Sequence, residues 1–190
     1  MRIIFMGTPT FALPSLEKIY KEHEIISVFT KVDKPNARGK KINFSPIKEF
    51  ALANNLKIYQ PENFKDSSLI EEIRNMQADL IVVVAYGKIL PKEIIDIPKY
   101  GVINLHSSLL PRFRGAAPIN AAIINGDDKS GVSIMYVEEE LDAGAVILQE
   151  ETEITDEETL EAQEISNIFQ YTWNIEDKFK ITDVDFSEQN

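Results

Sequence analysis

Residues 79–85 have the sequence DLIVVVA, the most strongly β-branched apolar run in the chain. A strand that is apolar on both faces is typical of the interior of a parallel sheet, where helices cover both sides. Other apolar runs occur at Arg2–Met6, Glu24–Thr30 and Gly101–Leu105, and the segments between the runs carry helical spacing or helix-start signals. This alternation predicts an α/β fold with a doubly wound, mostly parallel, Rossmann-like sheet.

The second half of the chain carries a different pattern. The runs Val132–Val137 and Ala145–Gln149 flank the turn EEELDAG, and they predict an antiparallel hairpin that closes the sheet. Residues 151–190 hold 12 of the 31 Asp and Glu residues but only 2 of the 20 Lys and Arg residues. We therefore expect a folded domain over residues 1–155 and an acidic tail over 156–190, with one helix beginning near Thr155 and an irregular segment after it.

Composition excludes several kinds of site. The chain has no cysteine, so it has no disulfide, no thiolate nucleophile and no Cys-ligated metal. It has only two histidines, and no metal is expected. The first apolar run stops at Gly7, which is too early for a signal peptide, and no later run approaches the length of a membrane span. We expect a cytoplasmic protein that does not associate with membranes.

Three polar residues suggest chemistry at the end of the strand that begins at Gly101. Asn104 and His106 are two residues apart, so their side chains leave the same face of an extended strand. An amide and an imidazole can both donate hydrogen bonds to a developing oxyanion, as acyl transfer requires. Asp142, in the turn LDAG, can orient the imidazole and accept the proton that an attacking amine loses. Each residue alone also has an ordinary structural explanation, as a strand-end cap, a backbone partner or a turn residue.

Two loops suggest anion binding. The segment GTPTFA at residues 7–12 joins a strand to a helix, but it lacks the G-x-G-x-x-G pattern of dinucleotide sites. The loop Lys31–Asn43 is rich in lysine and arginine. Such a loop is either a solvated connection or an arm that contacts phosphate, and its length favours the second role.

Five segments together resemble one family: GTPTFALPSL, DKPNARGKK, ADLIVVVAYGKILP, NLHSSLLPRFRGAAPI and LDAGAVILQEE. They are similar to the N-terminal catalytic domain of the methionyl-tRNA formyltransferases, over about residues 1–155. The SLLP segment with an upstream His and a downstream D-x-G is shared by folate-dependent formyltransferases in general. GTP-x-FA, the basic loop and RGAAPI indicate the tRNA-acting branch. The resemblance implies transfer of a formyl group from 10-formyltetrahydrofolate, as co-substrate, to the amino group of initiator methionyl-tRNA.

The resemblance also implies roles for individual residues. Asn104 and His106 would polarise the formyl oxygen, and Asp142 would manage the charge of the imidazole and the leaving proton. The implied donor-binding residues are Ala85, Tyr86, Gly87, Ile89, Leu90, Ser108, Leu109, Leu110, Pro111, Val137, Glu139 and Glu140. The implied tRNA-binding residues are Lys34, Arg38, Lys40 and Lys41, with Arg38 as the first choice.

Members of this family continue well beyond this length into a β-barrel domain that helps to hold tRNA, and the sequence before Asn190 does not resemble that continuation. We therefore expect the barrel domain to be absent. Two other functions stay open: formyl transfer to a small amine, such as glycinamide ribonucleotide or an amino sugar, and folate binding without turnover. A stand-alone domain of this size suffices for a small amine, but the basic loop and RGAAPI favour tRNA. No obligate protein partner is expected.

Overall fold

The computed structural model describes residues 1–35, 42–115 and 117–154. It contains two compact units, Met1–Ile103 and Asn104–Asn190, and one strand crosses the boundary between them. The helix expected from Thr155 onwards and the acidic tail 156–190 lie outside the described residues.

Unit 1 alternates strands and helices as the sequence predicts. It begins with β1 (Arg2–Gly7), a 3₁₀ turn (Thr10–Ala12), α1 (Leu13–Glu22), β2 (Glu24–Phe29), β3 (Lys34–Pro35) and β4 (Ile42–Asn43). It continues with α2 (Pro46–Ala53), β5 (Ile58–Tyr59), α3 (Ser67–Asn75), β6 (Leu80–Val84), α4 (Lys92–Ile95) and the start of β7 (Val102–His106). The segment expected to be entirely loop therefore contains a short antiparallel pair, β3 with β4. Two residues on each strand are too few to produce a hydrophobic pattern in the sequence.

Helix starts in unit 1 follow from local side-chain chemistry. Ser45 caps α2, because its hydroxyl oxygen accepts the N–H of Lys48 at 3.1 Å, and Pro46 occupies the first helical position, where no N–H is needed. Asp66 caps α3 by accepting the N–H of Ser68 at 2.9 Å. Both helices thus begin directly after a side chain that caps the first turn.

The strand order of unit 1 contains a reversal. Strands β5, β2, β1 and β6 lie side by side in that order, and all three pairings are parallel. β6 is buried at all five positions, which confirms the expected interior strand. The chain moves outward from β1 to β2 and β5 and then returns to β6 on the other side of β1. Ligands of open α/β sheets bind beyond the carboxyl ends of the strands at such a reversal, which here is marked by paired residues Gly7 and Val84.

Unit 2 contains the end of β7, then α5 (Pro118–Ile124), β8 (Lys129–Tyr136) and β9 (Val146–Glu153), with strand order β7, β8, β9. β8 and β9 pair antiparallel, which confirms the expected closing hairpin, and both strands are longer than the sequence pattern predicts. The chain thus has the α/β fold with a mostly parallel sheet that the sequence predicts. Within the described residues, no helix has both the length and the apolar character needed to cross a membrane.

Candidate active site

The three residues expected to be catalytic all lie in unit 2. β7 ends at His106, so Asn104 and His106 occupy the carboxyl end of that strand and project from the same face. The His106 side chain is 8% exposed. The Asn104 side chain is half-buried, and it makes no hydrogen bond within the part of the chain that the structure describes. Its amide can therefore donate to a bound molecule without losing a bond to any described residue.

Asp142 lies next to His106. The distance from His106 Nδ1 to Asp142 Oδ2 is 3.7 Å, and the Asp142 side chain is 9% exposed. The same Oδ2 accepts the backbone N–H of Gly115 at 2.7 Å. Asp142 and Gly115 have positive φ values, of 49° and 93°. For a residue with a side chain, such as Asp142, the left-handed conformation costs about 1–3 kcal/mol. The proximity expected between the imidazole and the carboxylate is present.

The other ring nitrogen of His106 faces a backbone carbonyl. His106 Nε2 lies 3.0 Å from the oxygen of Phe113. Because a carbonyl oxygen only accepts hydrogen bonds, Nε2 carries a hydrogen and donates a hydrogen bond to the carbonyl of Phe113. Both ring nitrogens therefore face acceptors of the protein itself. A substrate oxygen that accepts a hydrogen bond from Nε2 has to replace the Phe113 carbonyl.

The donor-binding residues expected in unit 2 lie in two loops. Ser108 is 1% exposed and Leu110 is 8% exposed, and the Leu110–Pro111 peptide bond is cis. Leu109 packs close to β8, since a Cβ at Gly131 would lie 2.6 Å from its Cδ2. In the turn between β8 and β9, Val137 is half-buried, whereas Glu139 and Glu140 are exposed.

The donor-binding residues expected in unit 1 form the loop after β6. Ala85 and Gly87 adopt left-handed conformations, with φ values of 47° and 70°. Ile89 is 81% exposed, whereas Leu90 is buried. The Tyr86 side chain is fully buried, its hydroxyl has no hydrogen-bond partner among the described residues, and burial raises its pKa. The Tyr86 side chain therefore supports the loop from the core.

Two lysines bring positive charge to this loop: Lys31, which lies beside it, and Lys88, which belongs to it. The ammonium of Lys31 occupies the space that a Cβ at Gly87 would need. Lys88 donates hydrogen bonds to the carbonyl oxygens of Pro61 and Glu62. Burial and then the nearby charge of Lys31 lower the pKa of Lys88, and Glu62 partly opposes them. The carboxyl edge of unit 1 therefore carries the positive charges of Lys31 and Lys88. Because these residues are far apart in the sequence, their proximity could not be predicted from it.

The basic loop is described only at its two ends. Lys34 is exposed in β3, whereas Arg38, Lys40 and Lys41 lie outside the described residues. At the base of the loop, Asp33 forms an ion pair with Lys48 and accepts a hydrogen bond from Gln60 Nε2 at 2.9 Å. The same Nε2 donates to the carbonyl of Lys31 at 2.7 Å. These contacts attach the start of the loop to α2 and to the end of β5.

The Asp33 contacts predict an acid-sensitive part of stability. Burial alone would raise the pKa of Asp33, but hydrogen bonds from Lys48 and Gln60 and the charge of Lys48 hold it below its ordinary value. The contribution is therefore present above the unfolded pKa of about 3.9 and is lost as the pH falls through the lower folded pKa. We expect the free energy of unfolding to fall less between about pH 5 and pH 2 in Asp33→Asn than in the wild type. Urea unfolding at each pH measures this, with Asp128→Asn, an exposed position, as control. Equal pH dependence in Asp33→Asn and the wild type would contradict the expectation.

Metal ligands do not cluster in the described ranges: among residues 1–35, 42–115 and 117–154, no three His, Cys, Asp or Glu side chains converge on one point. The acid and imidazole groups of the site are thus arranged in a pair, His106 with Asp142.

Comparisons with known proteins place the chain among formyl transferases. The model of the formyl transferase family matches residues 1–170. A methionyl-tRNA formyltransferase of Fusobacterium nucleatum subsp. nucleatum is 93% identical over 159 residues, covering 84% of this chain and 51% of that protein. One from Alkaliphilus oremlandii is 55% identical over 160 residues, covering 84% of this chain and 52% of that protein. The chain spans about half the length of the curated relatives it matches.

Solved structures share the fold at low sequence identity. A phosphoribosylglycinamide formyltransferase from Streptococcus pneumoniae TIGR4 has a TM-score of 0.71 and 22% identity, covering 94% of this chain and 98% of that one. A sugar 3N-formyl transferase crystallised in the presence of dTDP and 5-N-formyl-THF has a TM-score of 0.67 and 23% identity, covering 94% of this chain and 61% of that one. At this level of identity the likeness establishes the fold alone.

Proposed function

Because the chain belongs to the formyl transferase family, we propose that it transfers a formyl group from 10-formyltetrahydrofolate to the amino group of initiator methionyl-tRNA. The observation that carries the proposal is the buried approach of His106 Nδ1 to Asp142 Oδ2, at 3.7 Å, beside Asn104 at the end of β7. The relatives at 93% and 55% identity are methionyl-tRNA formyltransferases, which supports the tRNA acceptor. On this proposal, residues 1–155 form the catalytic domain.

The folate supplies a formyl group whose carbon is open to attack by an amine. Asn104 donates an amide N–H to the formyl oxygen, and His106 donates from Nε2 once that oxygen has replaced the Phe113 carbonyl. Asp142 keeps the imidazole in its orientation and receives the proton that the amine loses. As the amine bonds to the formyl carbon, the bond from that carbon to the folate nitrogen breaks, and the nitrogen takes up a proton so that tetrahydrofolate leaves. Two hydrogen-bond donors on one strand face suit a carbonyl oxygen, which accepts two bonds.

The remaining predicted residues have proposed binding roles. In unit 2, the proposed donor-binding residues are Ser108–Pro111, Val137, Glu139 and Glu140. For Ala85, Tyr86, Gly87, Ile89 and Leu90, the donor-binding role stays the one that the family resemblance implies. The sugar formyl transferase crystallised with 5-N-formyl-THF supports a folate ligand for this fold. Lys34, Arg38, Lys40 and Lys41 contact the phosphates of the tRNA, because a cationic segment gains affinity from each phosphate it neutralises.

The acceptor decides between this function and its alternatives. The test incubates the purified chain and 10-formyltetrahydrofolate with initiator methionyl-tRNA or with glycinamide ribonucleotide and follows radiolabelled formyl in each product. We expect formylated tRNA and no formylated ribonucleotide. The doubly substituted Lys34→Ala, Arg38→Ala variant should lose tRNA turnover at moderate salt, whereas Lys57→Ala, a control outside the basic loop, should not. Formylation of the ribonucleotide with tRNA inert would contradict the tRNA acceptor, and folate binding without either product would contradict catalysis.

A further inference from the structure

A polar pair on the β8–β9 hairpin holds the loop that follows β7. Ser133 on β8 and Gln149 on β9 lie directly opposite each other in the antiparallel register. Ser133 is completely buried, whereas Gln149 reaches inward from an exposed position. We call Ser133 and Gln149 the clamp, and residues 107–115 the site loop.

The clamp uses every hydrogen bond that its groups can make towards the site loop. The Ser133 hydroxyl donates to the carbonyl of Ser108 at 2.6 Å and accepts the N–H of Leu110 at 3.1 Å. It also accepts from Gln149 Nε2 at 2.8 Å, and the same Nε2 donates to the carbonyl of Leu110 at 2.8 Å. A hydroxyl has one proton and two lone pairs, and an amide nitrogen has two protons, so both groups are saturated. Because the carbonyl of Leu110 can only accept, the amide nitrogen, not the amide oxygen, must face it.

The site loop returns to His106 after leaving the clamp. Within the loop, the Ser108 hydroxyl donates to the carbonyl of Arg112 at 2.7 Å. The next carbonyl, that of Phe113, accepts from His106 Nε2 at 3.0 Å. The N–H of Gly115 then donates to Asp142 Oδ2 at 2.7 Å. The backbone that the clamp holds at Ser108 and Leu110 is thus the same short segment that contacts both members of the His106–Asp142 pair.

We propose that Ser133 and Gln149 are positioning residues: they fix the backbone of the site loop so that Ser108–Pro111 can contact the folate donor and His106 keeps its orientation. This inference rests on the proposed function for its ligand. The part of the inference that concerns His106 is independent of the proposed function, because the orientation of His106 depends on the site loop whether or not folate binds. Neither clamp residue touches the reacting atoms.

Three substitutions separate the clamp from general packing of the hairpin. Ser133→Ala removes three hydrogen bonds and leaves the N–H of Leu110 buried without its partner. Gln149→Glu preserves size but replaces the donating nitrogen by an oxygen that faces the carbonyl of Leu110. Ser130→Ala is the matched control, because Ser130 is also a buried serine of β8 and its hydroxyl has no partner among the described residues. Ser133→Thr keeps the hydroxyl and serves as the rescue variant.

The experiment has two readouts on the full chain. Calorimetry measures the binding of 5-formyltetrahydrofolate, and two-dimensional NMR of the imidazole groups reports on His106, with His23 as the internal reference since these are the chain's only histidines. We expect Ser133→Ala and Gln149→Glu to weaken folate binding by about tenfold, the usual loss when a buried polar group loses its partner. They should also shift the His106 signals while leaving those of His23 unchanged. Ser133→Thr should restore both readouts towards the wild type, and Ser130→Ala should change neither.

Either of two results would overturn the proposal. One is that Gln149→Glu, whose exposed position favours a folded variant, binds folate like the wild type and leaves the His106 signals in place. The other is that Ser130→Ala produces the same changes as Ser133→Ala, which would mean that any loss of a β8 hydroxyl disturbs the hairpin. If the wild type itself binds no 5-formyltetrahydrofolate, the proposed function fails, and the His106 signals alone still decide whether the clamp exists.

Discussion

The chain carrying both Asn104→Ala and His106→Ala should transfer formyl groups about 10³-fold more slowly than the wild type, or slower still. Removing one donor to a developing oxyanion typically costs about 10²–10³ in rate, and residues that act as a unit do not add, so the pair should cost little more than the worse single variant. The loss should appear in the rate of the chemical step, because both side chains bind an oxygen whose charge grows during reaction.

Single-turnover kinetics with preformed enzyme–donor complex measures this step directly. The matched control carries Asn75→Ala and His23→Ala, which remove the same two side-chain types from exposed or half-buried positions in unit 1. We expect the control to react at the wild-type rate. A double variant at Asn104 and His106 that keeps more than about a tenth of the wild-type rate would contradict the assignment of these donors.

Asp142→Asn should lower the rate by about 10²–10⁴, the range for loss of a positioned acid or base. The substitution is nearly isosteric, and its amide oxygen can still accept the N–H of Gly115, so the link between the two loops is kept. What it removes is the negative charge 3.7 Å from His106 Nδ1 and the ability to take up a proton. The rate should therefore fall while folate affinity changes little.

The control for this variant is Asp128→Asn, the same chemical change at an exposed position of unit 2. Steady-state kinetics separates kcat from the KM for the donor in both variants. Rates for Asp142→Asn and Asp128→Asn that agree with each other and with the wild type would show that the carboxylate of Asp142 takes no part in the reaction.

Features encoded by local patterns could be predicted from the sequence. The β-branched run at 79–85 became the buried strand β6, and the two runs around LDAG became the hairpin β8–β9. The common face of Asn104 and His106 follows from the two-residue period of a strand. No periodic sequence pattern encodes the approach of Asp142 to His106. It was predicted because the chemistry and the family resemblance required an acid near the imidazole.

Features that depend on loop backbone could not be predicted. The carbonyl of Phe113 reaches His106 in a loop where Phe113 adopts a φ of 55°, a conformation that a phenylalanine in sequence does not suggest. The same holds for the clamp, because Ser133 and Gln149 bond to backbone atoms and leave no side-chain pattern to detect. Burial of the Tyr86 ring in the core is a further feature that no local pattern predicted.

A crystal structure of this chain with 5-formyltetrahydrofolate would show whether the formyl group is held at the end of β7. We expect the formyl oxygen within about 3.2 Å of Asn104 Nδ2, with the formyl carbon on the side of His106 and Asp142. A folate bound with its formyl group remote from β7, with no contact to Asn104, would show that the formyl group is held elsewhere.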